Sequence, residues 1–167
     1  MIAVEVDAFA FSRQKDRREG EISVKTLPRL AKECADTTGA LQWAIAGGMH
    51  ESGHAQLSMT VTGAVQLICQ RCLRPYTHTI ASSATLVLAR SELQADQIEA
   101  ALEDDSLDVI VVAPSMDLME MVEDEALLSI PQAPKHEQCP DSDTVARLKE
   151  IDADKPSAFA ALKNMKH

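Results

Sequence analysis

Four residues in two short motifs have the types and the spacing of metal ligands. Cys69 and Cys72 form a Cys-x-x-Cys pair, and His136 and Cys139 form a His-x-x-Cys pair much later in the chain. Each pair has the spacing of half a tetrahedral zinc site, and two halves supply four ligands. The sequence therefore predicts zinc as a cofactor of these four side chains. Cys-x-x-Cys alone would equally fit two free thiols on a turn, and the second pair must return from a proline-rich segment.

A different motif, His50 to His54, matches the His-Glu-x-x-His pattern of zinc proteases. That chemistry needs both histidines on one face of a helix, one turn apart, with the glutamate as base. Gly47, Gly48 and Gly53 crowd the segment and strand-like patterns flank it, so the sequence predicts a hairpin loop. Signatures of a nucleophile elbow or of a phosphate-binding loop are also missing from the sequence. We therefore expect a protein that is not an enzyme.

Two strands are predicted to position the Cys-x-x-Cys pair. Residues 57–67 alternate apolar and polar side chains, and residues 77–88 do the same, which is typical of strands with one buried face. Pro75 cannot continue a central ladder and indicates a strand start. The pair therefore lies at the tip of a predicted β-hairpin. A thioredoxin-like pair would instead need a helix N-terminus to stabilise its thiolate.

The hairpin tip and the acidic segment after it carry a resemblance to a known family. The run Leu67-Ile68-Cys69-Gln70-Arg71-Cys72-Leu73, preceded by Val65, is followed by Asp117 to Glu125 and by Leu128-Ser129-Ile130-Pro131. This pattern resembles the YceD family, the bacterial large ribosomal RNA subunit accumulation proteins. Some members of that family carry a second cysteine pair where this chain has His-x-x-Cys.

The resemblance implies a function and its partners. We expect a non-enzymatic ribosome biogenesis factor in the cytoplasm that supports synthesis, processing or stability of large-subunit ribosomal RNA (23S rRNA). The implied partners are that RNA or a pre-ribosomal particle, and a basic ribosomal protein is a further candidate. The residues themselves leave open a different function, a zinc-stabilised adaptor that binds basic proteins.

The charge distribution limits how RNA could be bound. The net charge is −10, but residues 91–130 hold twelve of the 26 Asp and Glu residues and no Lys or Arg, which leaves fourteen acidic against sixteen basic residues elsewhere. A local phosphate-binding patch is compatible with this balance, whereas a dominant basic surface is not. A solvated turn explains the arginines at the tip equally well. The candidate RNA contacts are Arg71, Arg74, Lys163 and Lys166.

The acidic stretch includes an amphipathic helix predicted over residues 115–130, with Ser115 as its cap and Pro131 as its stop. The apolar arc of this helix should pack on a sheet, and its acidic residues should form an exposed ridge. That ridge is the surface through which an adaptor would bind basic partners. The apolar arc comprises Leu118, Met119, Val122, Ala126 and Ile130, and the candidate partner-binding residues are Glu120, Glu123 and Asp124.

The remaining patterns predict an α+β domain over residues 1–130, built on an antiparallel twisted sheet of about five or six strands with a few packed helices. Helices are expected from Asp7 to about Gly20 and from residue 26. Strands are expected over residues 21–25, 40–49 and, as a buried strand, 107–112, and a polar helix or loop over 91–105. Residues 131–167 read as a Pro-rich polar tail with a short C-terminal helical segment.

Cysteine usage and hydropathy predict the compartment. No apolar run is long enough to span a membrane, and the first residues lack the features of an export signal. Four cysteines in such a chain indicate reduced thiols or metal ligands, not disulfides. We expect a cytoplasmic protein without membrane contact, in which Cys34 is a buried structural thiol.

Overall fold

The structure, a computed structural model, describes residues 4–102 and 107–140. Within these ranges it has the predicted α+β fold, with seven strands and four α-helices. None of the described helices has the length and apolar character needed to cross a membrane. The elements are β1 (Glu5–Asp7), α1 (Ala8–Gln14), β2 (Arg17–Ser23), α2 (Pro28–Glu33), β3 (Ala40–Met49), β4 (Ala55–Ile68), β5 (Pro75–Ala89), α3 (Glu92–Ala101), β6 (Asp108–Val111), β7 (Ser115–Asp117) and α4 (Leu118–Leu128).

The main sheet has five strands in the order β2-β3-β4-β5-β6. The first four strands pair antiparallel with their neighbours, whereas β6 pairs parallel to β5. The sheet is therefore mixed, and the prediction of a fully antiparallel sheet is wrong at this strand. Strand β6 is parallel to β5 because the crossover through α3 returns the chain to the end of the sheet where β5 began.

The β4–β5 hairpin is the longest paired unit of the sheet, with Gln56 opposite Val87 near its base and Ile68 opposite Pro75 at its tip. The predicted alternation is confirmed, because the apolar positions of β4 face the core and the positions between them lie at the surface or are half-buried. The residues beyond this last pair form the loop that carries the first two candidate ligands. The buried apolar side chains of β4 are Leu57, Met59, Val61, Val65 and Leu67.

Helix α1 begins where the sequence predicts and ends earlier. The Asp7 side chain accepts a hydrogen bond from the Ala10 N–H at 2.8 Å, as expected of an N-cap. Lys15 adopts the left-handed conformation (φ 53°) and ends the helix, so Gly20 instead lies within β2. Gly47 of β3 allows the close approach of this helix end, because a Cβ there would lie 2.8 Å from the Ser12 Cα.

Helix α4 has a different start from the predicted one. Ser115 does not cap it, since Ser115 to Asp117 form β7, which pairs with β1. Asp117 is the cap, and its Oδ1 accepts the Met119 N–H at 2.8 Å. The predicted apolar arc is confirmed within the helix, whereas Ile130 follows the helix and is half-buried. The buried members of this arc are Leu118, Met119, Val122 and Ala126.

Strand β6 was predicted to be buried and is only half-buried or exposed along its length. It lies at the edge of the sheet, with β5 as its neighbour in the described part of the chain. Helix α3 covers the face of the sheet beside it. The second, smaller core there consists of Val87, Ala89, Ala95 and Ile98.

Candidate metal centre

The loop at the hairpin tip is closed by its own backbone. The Cys69 N–H donates to the Arg74 carbonyl at 2.9 Å, and the Leu73 N–H donates to the Cys69 carbonyl at 2.8 Å. Leu73 adopts the left-handed conformation (φ 59°), which completes the tight turn. These bonds hold the first cysteine at the base of the loop and the second one near its end, so that both thiols are presented from one turn.

The segment after α4 returns to this tip. The Gln70 N–H donates to the Pro134 carbonyl at 2.8 Å, which pairs the loop with the returning chain. The His136 ring lies 5.1 Å from the Tyr76 ring, centroid to centroid. These contacts bring the His-x-x-Cys pair back to the Cys-x-x-Cys pair, as a shared site requires. The predicted boundary between a domain ending at residue 130 and a tail stays a prediction.

Cys69, Cys72, His136 and Cys139 form a cluster, called here the ligand cluster, in which all four ligand atoms lie within 4.8 Å of one another. The Cys69 and Cys139 sulfurs are 3.8 Å apart, and both residues are buried. The His136 Nδ1 lies 3.4 Å from the Cys72 sulfur and 4.0 Å from the Cys139 sulfur. The cluster can therefore hold a metal ion with one ligand atom from each residue.

The protonation of the cluster favours a cation at its centre. Burial raises the pKa of the Cys69 thiol, but the backbone N–H groups of Cys72, His136 and Arg71 stabilise the thiolate, and the pKa is lowered to about 5. Burial, with the neighbouring Cys69 and Cys139 sulfurs, raises the pKa of Cys72. The Cys69 thiolate therefore forms readily, whereas ionisation of Cys72 beside it is disfavoured. A bound cation relieves that repulsion and favours deprotonation of its ligands.

Arg71 is directed at the cluster. Its Nε donates to the Cys139 sulfur at 3.0 Å, and its Nη2 donates to the His136 carbonyl at 2.9 Å. The hydrogen bond to Cys139 and the charge of that sulfur raise the pKa of Arg71. The guanidinium that the sequence predicts as an RNA contact is thus engaged with two residues of the ligand cluster.

Other candidate residues lie elsewhere or outside the described ranges. Arg74 belongs to the same loop, and its carbonyl accepts the bond that closes the loop. Lys163 and Lys166 lie outside the described residues. The His50 to His54 segment is the turn between β3 and β4, as predicted. Cys34, which was predicted to be buried, is half-buried at the end of α2. Burial, followed by Asp36 and Glu33, raises the pKa of Cys34.

The acidic face of α4 does not form the predicted ridge. Glu123 is 1% exposed and Glu125 is 9% exposed, whereas Glu120 and Asp124 remain at the surface. The Glu125 carboxylate accepts a hydrogen bond from the Ser82 hydroxyl. The prediction that these acidic residues are all exposed is therefore wrong, since two of them face the interior.

Glu123 is buried because it completes another helix. Its carboxylate accepts the backbone N–H groups of Arg29 at 2.6 Å and of Leu30 at 3.0 Å, in the first turn of α2. Leu27, the residue that precedes α2, provides no side-chain cap. The Arg29 Nε also donates to Glu123 at 2.9 Å, and its Nη1 donates to Asp124 at 2.5 Å. Arg29, Glu123 and Asp124 thus tie α4 to α2, and we call them the helix anchor.

The sequence did not reveal the roles of Arg71 and Arg29. Arg71 stands between the two cysteines in the sequence, a position from which it can reach the metal ligands, but its partners come from a distant segment. Arg29 carried no local signal of its own. The start of α2 did carry a signal. A helix that begins after Leu27, with Pro28 in its first turn, has no side-chain cap, so its first backbone N–H groups need an acceptor from elsewhere.

Comparison with protein families gives one result for this chain. The family model described as "Large ribosomal RNA subunit accumulation protein YceD" matches residues 57–166, about two thirds of the chain. The matched range includes nearly all of the β4–β5 hairpin, α4 and all four residues of the ligand cluster. No solved structure was found to match the chain.

Proposed function

The chain belongs to the YceD family, and from that premise we propose that it is a non-enzymatic ribosome biogenesis factor. It supports synthesis, processing or stability of the large-subunit ribosomal RNA. The family match carries the proposal, because its description states a role in accumulation of that RNA. The ligand cluster adds support, since a site closed by four protein ligands stabilises a fold and leaves no position for a substrate.

We propose zinc as the metal of the ligand cluster. A zinc–sulfur distance of about 2.3 Å in tetrahedral geometry places two sulfurs about 3.8 Å apart, and a sulfur and a nitrogen about 3.5 Å apart. The sulfurs of Cys69 and Cys139 are 3.8 Å apart, and the His136 Nδ1 lies 3.4 Å from the Cys72 sulfur and 4.0 Å from the Cys139 sulfur. Zinc would hold the His-x-x-Cys segment on the hairpin tip.

Metal content tests this assignment. Protein purified without chelator should contain one zinc per chain by elemental analysis, and Cys72→Ser should lose most of it. Cys34→Ser is the matched control, because that thiol lies outside the cluster and its loss should leave the zinc content unchanged. Wild-type protein without stoichiometric zinc would contradict the assignment.

The proposed partners differ between two sets of residues. The candidate RNA contacts are Arg74, Lys163 and Lys166, with Arg71 committed to the ligand cluster. Residues 91–130, which hold twelve acidic residues and no basic one, would repel RNA and attract a basic ribosomal protein. On α4, Glu120 and Asp124 are the exposed members of the predicted partner-binding set. Such a factor would act in the cytoplasm.

The function is tested in cells that lack the protein. Deletion should lower the ratio of mature large-subunit to small-subunit ribosomal RNA, because only the former depends on this factor. Wild-type protein and Cys34→Ser should restore the ratio, and Cys72→Ser should not. An unchanged ratio and ribosome profile after deletion, in cold and in slow growth, would contradict the proposal.

The zinc-stabilised adaptor is the alternative, and copurifying material separates the two functions. A tagged chain should bring down large-subunit RNA and large-subunit proteins, as identified by sequencing and mass spectrometry. Basic proteins unrelated to the ribosome, recovered without ribosomal RNA, would favour the adaptor. Replacing Glu120 by Gln should weaken the capture of those proteins while leaving the chain folded, because Glu120 is exposed and its side chain lies outside the helix anchor.

A further inference from the structure

Arg71 connects the two halves of the ligand cluster. It lies in the hairpin loop, between Cys69 and Cys72, and both of its acceptors, the Cys139 sulfur at 3.0 Å and the His136 carbonyl at 2.9 Å, belong to the returning segment. The planar guanidinium of Arg71 thus donates hydrogen bonds to the sulfur of one candidate ligand, Cys139, and to the backbone carbonyl of the other, His136. A guanidinium can do this because its donors point in fixed, divergent directions.

The charges of the cluster call for a cation beside it. Three thiolates and one neutral histidine around a divalent ion carry a net charge of −1. Two of these cysteines, Cys69 and Cys139, are buried, where an uncompensated charge is costly. The Arg71 guanidinium supplies a positive charge beside one of the buried sulfurs, because its Nε donates directly to Cys139.

We propose that Arg71 is a positioning residue of the metal site, which orients Cys139 and His136 and neutralises the metal–thiolate centre. The proposal rests on the proposed zinc. Outer partners of this kind fix the orientation of metal ligands and tune the metal, and their loss typically weakens metal binding about 10–100-fold. Arg71 would then act on RNA only through the segment that it holds in place.

Zinc affinity, measured by competition with a chromophoric chelator, tests the role of Arg71. Arg71→Gln should bind zinc about 10–100-fold more weakly than the wild type. Arg71→Lys should recover part of the affinity, because an ammonium restores the charge but not the two-point contact. Arg18→Gln is the control, since Arg18 pairs with Asp16 at 3.0 Å in another part of the sheet, and its affinity should equal that of the wild type.

A spectroscopic measurement separates this role from a general structural one. In cobalt-substituted protein, the thiolate-to-cobalt charge-transfer band should shift in Arg71→Gln, because Cys139 loses the hydrogen bond that withdraws charge from its sulfur. A substitution that only loosened the fold would lower the amount of bound cobalt and leave the band in place. The near-ultraviolet signal of Trp43, which lies in β3, reports whether each variant is folded.

Three outcomes would overturn the proposal. If the wild type binds zinc and Arg71→Gln binds it equally well, Arg71 has no such role, although the metal and the function stand. An unshifted cobalt band would overturn the contact with Cys139 in the same way. A wild type that binds no zinc would remove both the metal and this role, while the ribosomal RNA ratio in deletion cells still tests the function separately.

Discussion

The ligand cluster and the helix anchor both join segments that are far apart in the chain, yet the sequence reveals only one of them. Cys69 and Cys139 are 70 residues apart, and Arg29 and Glu123 are 94 residues apart. In the cluster, each half needs two ligands at a fixed short spacing, which leaves a visible motif. The anchor joins one arginine of α2 to two adjacent acidic residues of α4, and such residues on an acidic helix resemble any solvated ones. Ligand pairs at a fixed spacing can therefore be recognised in the sequence, whereas an ion pair between ordinary charged residues cannot.

The largest expected effect is on the buried side of α4. Val122→Asp should lower the free energy of unfolding by about 3–5 kcal/mol, because it places an unpaired charge in the core. Leu128→Asp is the matched control, since Leu128 is 81% exposed on the same helix, and its cost should stay within about 0.5 kcal/mol. Urea titrations measure both values, and equal losses would mean that the faces of α4 are wrongly assigned.

The helix anchor itself should give a smaller but clear loss. Glu123→Gln should cost about 2–3 kcal/mol, because it weakens charge-assisted bonds to the start of α2 and leaves Arg29 without its buried partner. Glu120→Gln removes an exposed charge from the same helix and should change stability by less than about 0.5 kcal/mol. Equal urea midpoints for Glu123→Gln and Glu120→Gln would mean that Glu123 is exposed, as the sequence predicts. The helix anchor would then not stabilise the fold.

A further expected effect is a pH dependence specific to the cluster. The pKa of Cys69 is lowered from its ordinary 9.0 to about 5, so the folded, metal-free state releases this proton more readily than the unfolded chain does. The resulting stability is complete above pH 9, declines as the pH falls from about 9 to about 5, and is absent below that range. The raised pKa of Cys72 acts in the opposite sense, since its contribution is lost only as the pH rises above 9.0.

Unfolding of reduced, chelator-treated protein across this pH range measures the effect. The wild type should become more stable between about pH 5 and 9, and Cys69→Ser should lose that part of the slope. Cys34→Ser should keep it, because Cys34 lies outside the cluster. An identical slope in the wild type and Cys69→Ser would locate the titrating group elsewhere.

Local patterns predicted the elements whose causes are local. The alternation of β4, the Asp7 cap and the hairpin tip all follow from neighbouring residues, and the structure confirms them. Three interpretations failed because their causes are distant. Ser115 pairs with Asp7 in a two-stranded sheet and is not a cap. Strand β6 pairs parallel with β5 because it follows a helical crossover. Glu123 is buried because its carboxylate accepts the N–H groups at the uncapped start of α2.

The candidate site could likewise be predicted from the sequence only in part. The identity and spacing of the four candidate ligands could be predicted from the sequence, because ligand chemistry restricts residue types. The direction of Arg71 could not, since an arginine on a turn can face solvent, phosphate or a sulfur, and only the return of Cys139 decides between them. The approach of His136 to the hairpin likewise depends on contacts that the loop makes with Pro134.

The order of the strands also bears on self-association. Among the described residues, β2 and β6 each have one neighbouring strand, and unpaired backbone groups at such edges can recruit another copy of the chain. Strand β2 presents Arg17, Arg18, Glu19 and Glu21 within seven residues, so a second copy would bring like charges together in parallel register. Strand β6 offers only four residues, too short a ladder to hold a second chain well. In the described part of the sheet, charge therefore disfavours a parallel pairing at β2, and the short length of β6 disfavours pairing at the other edge.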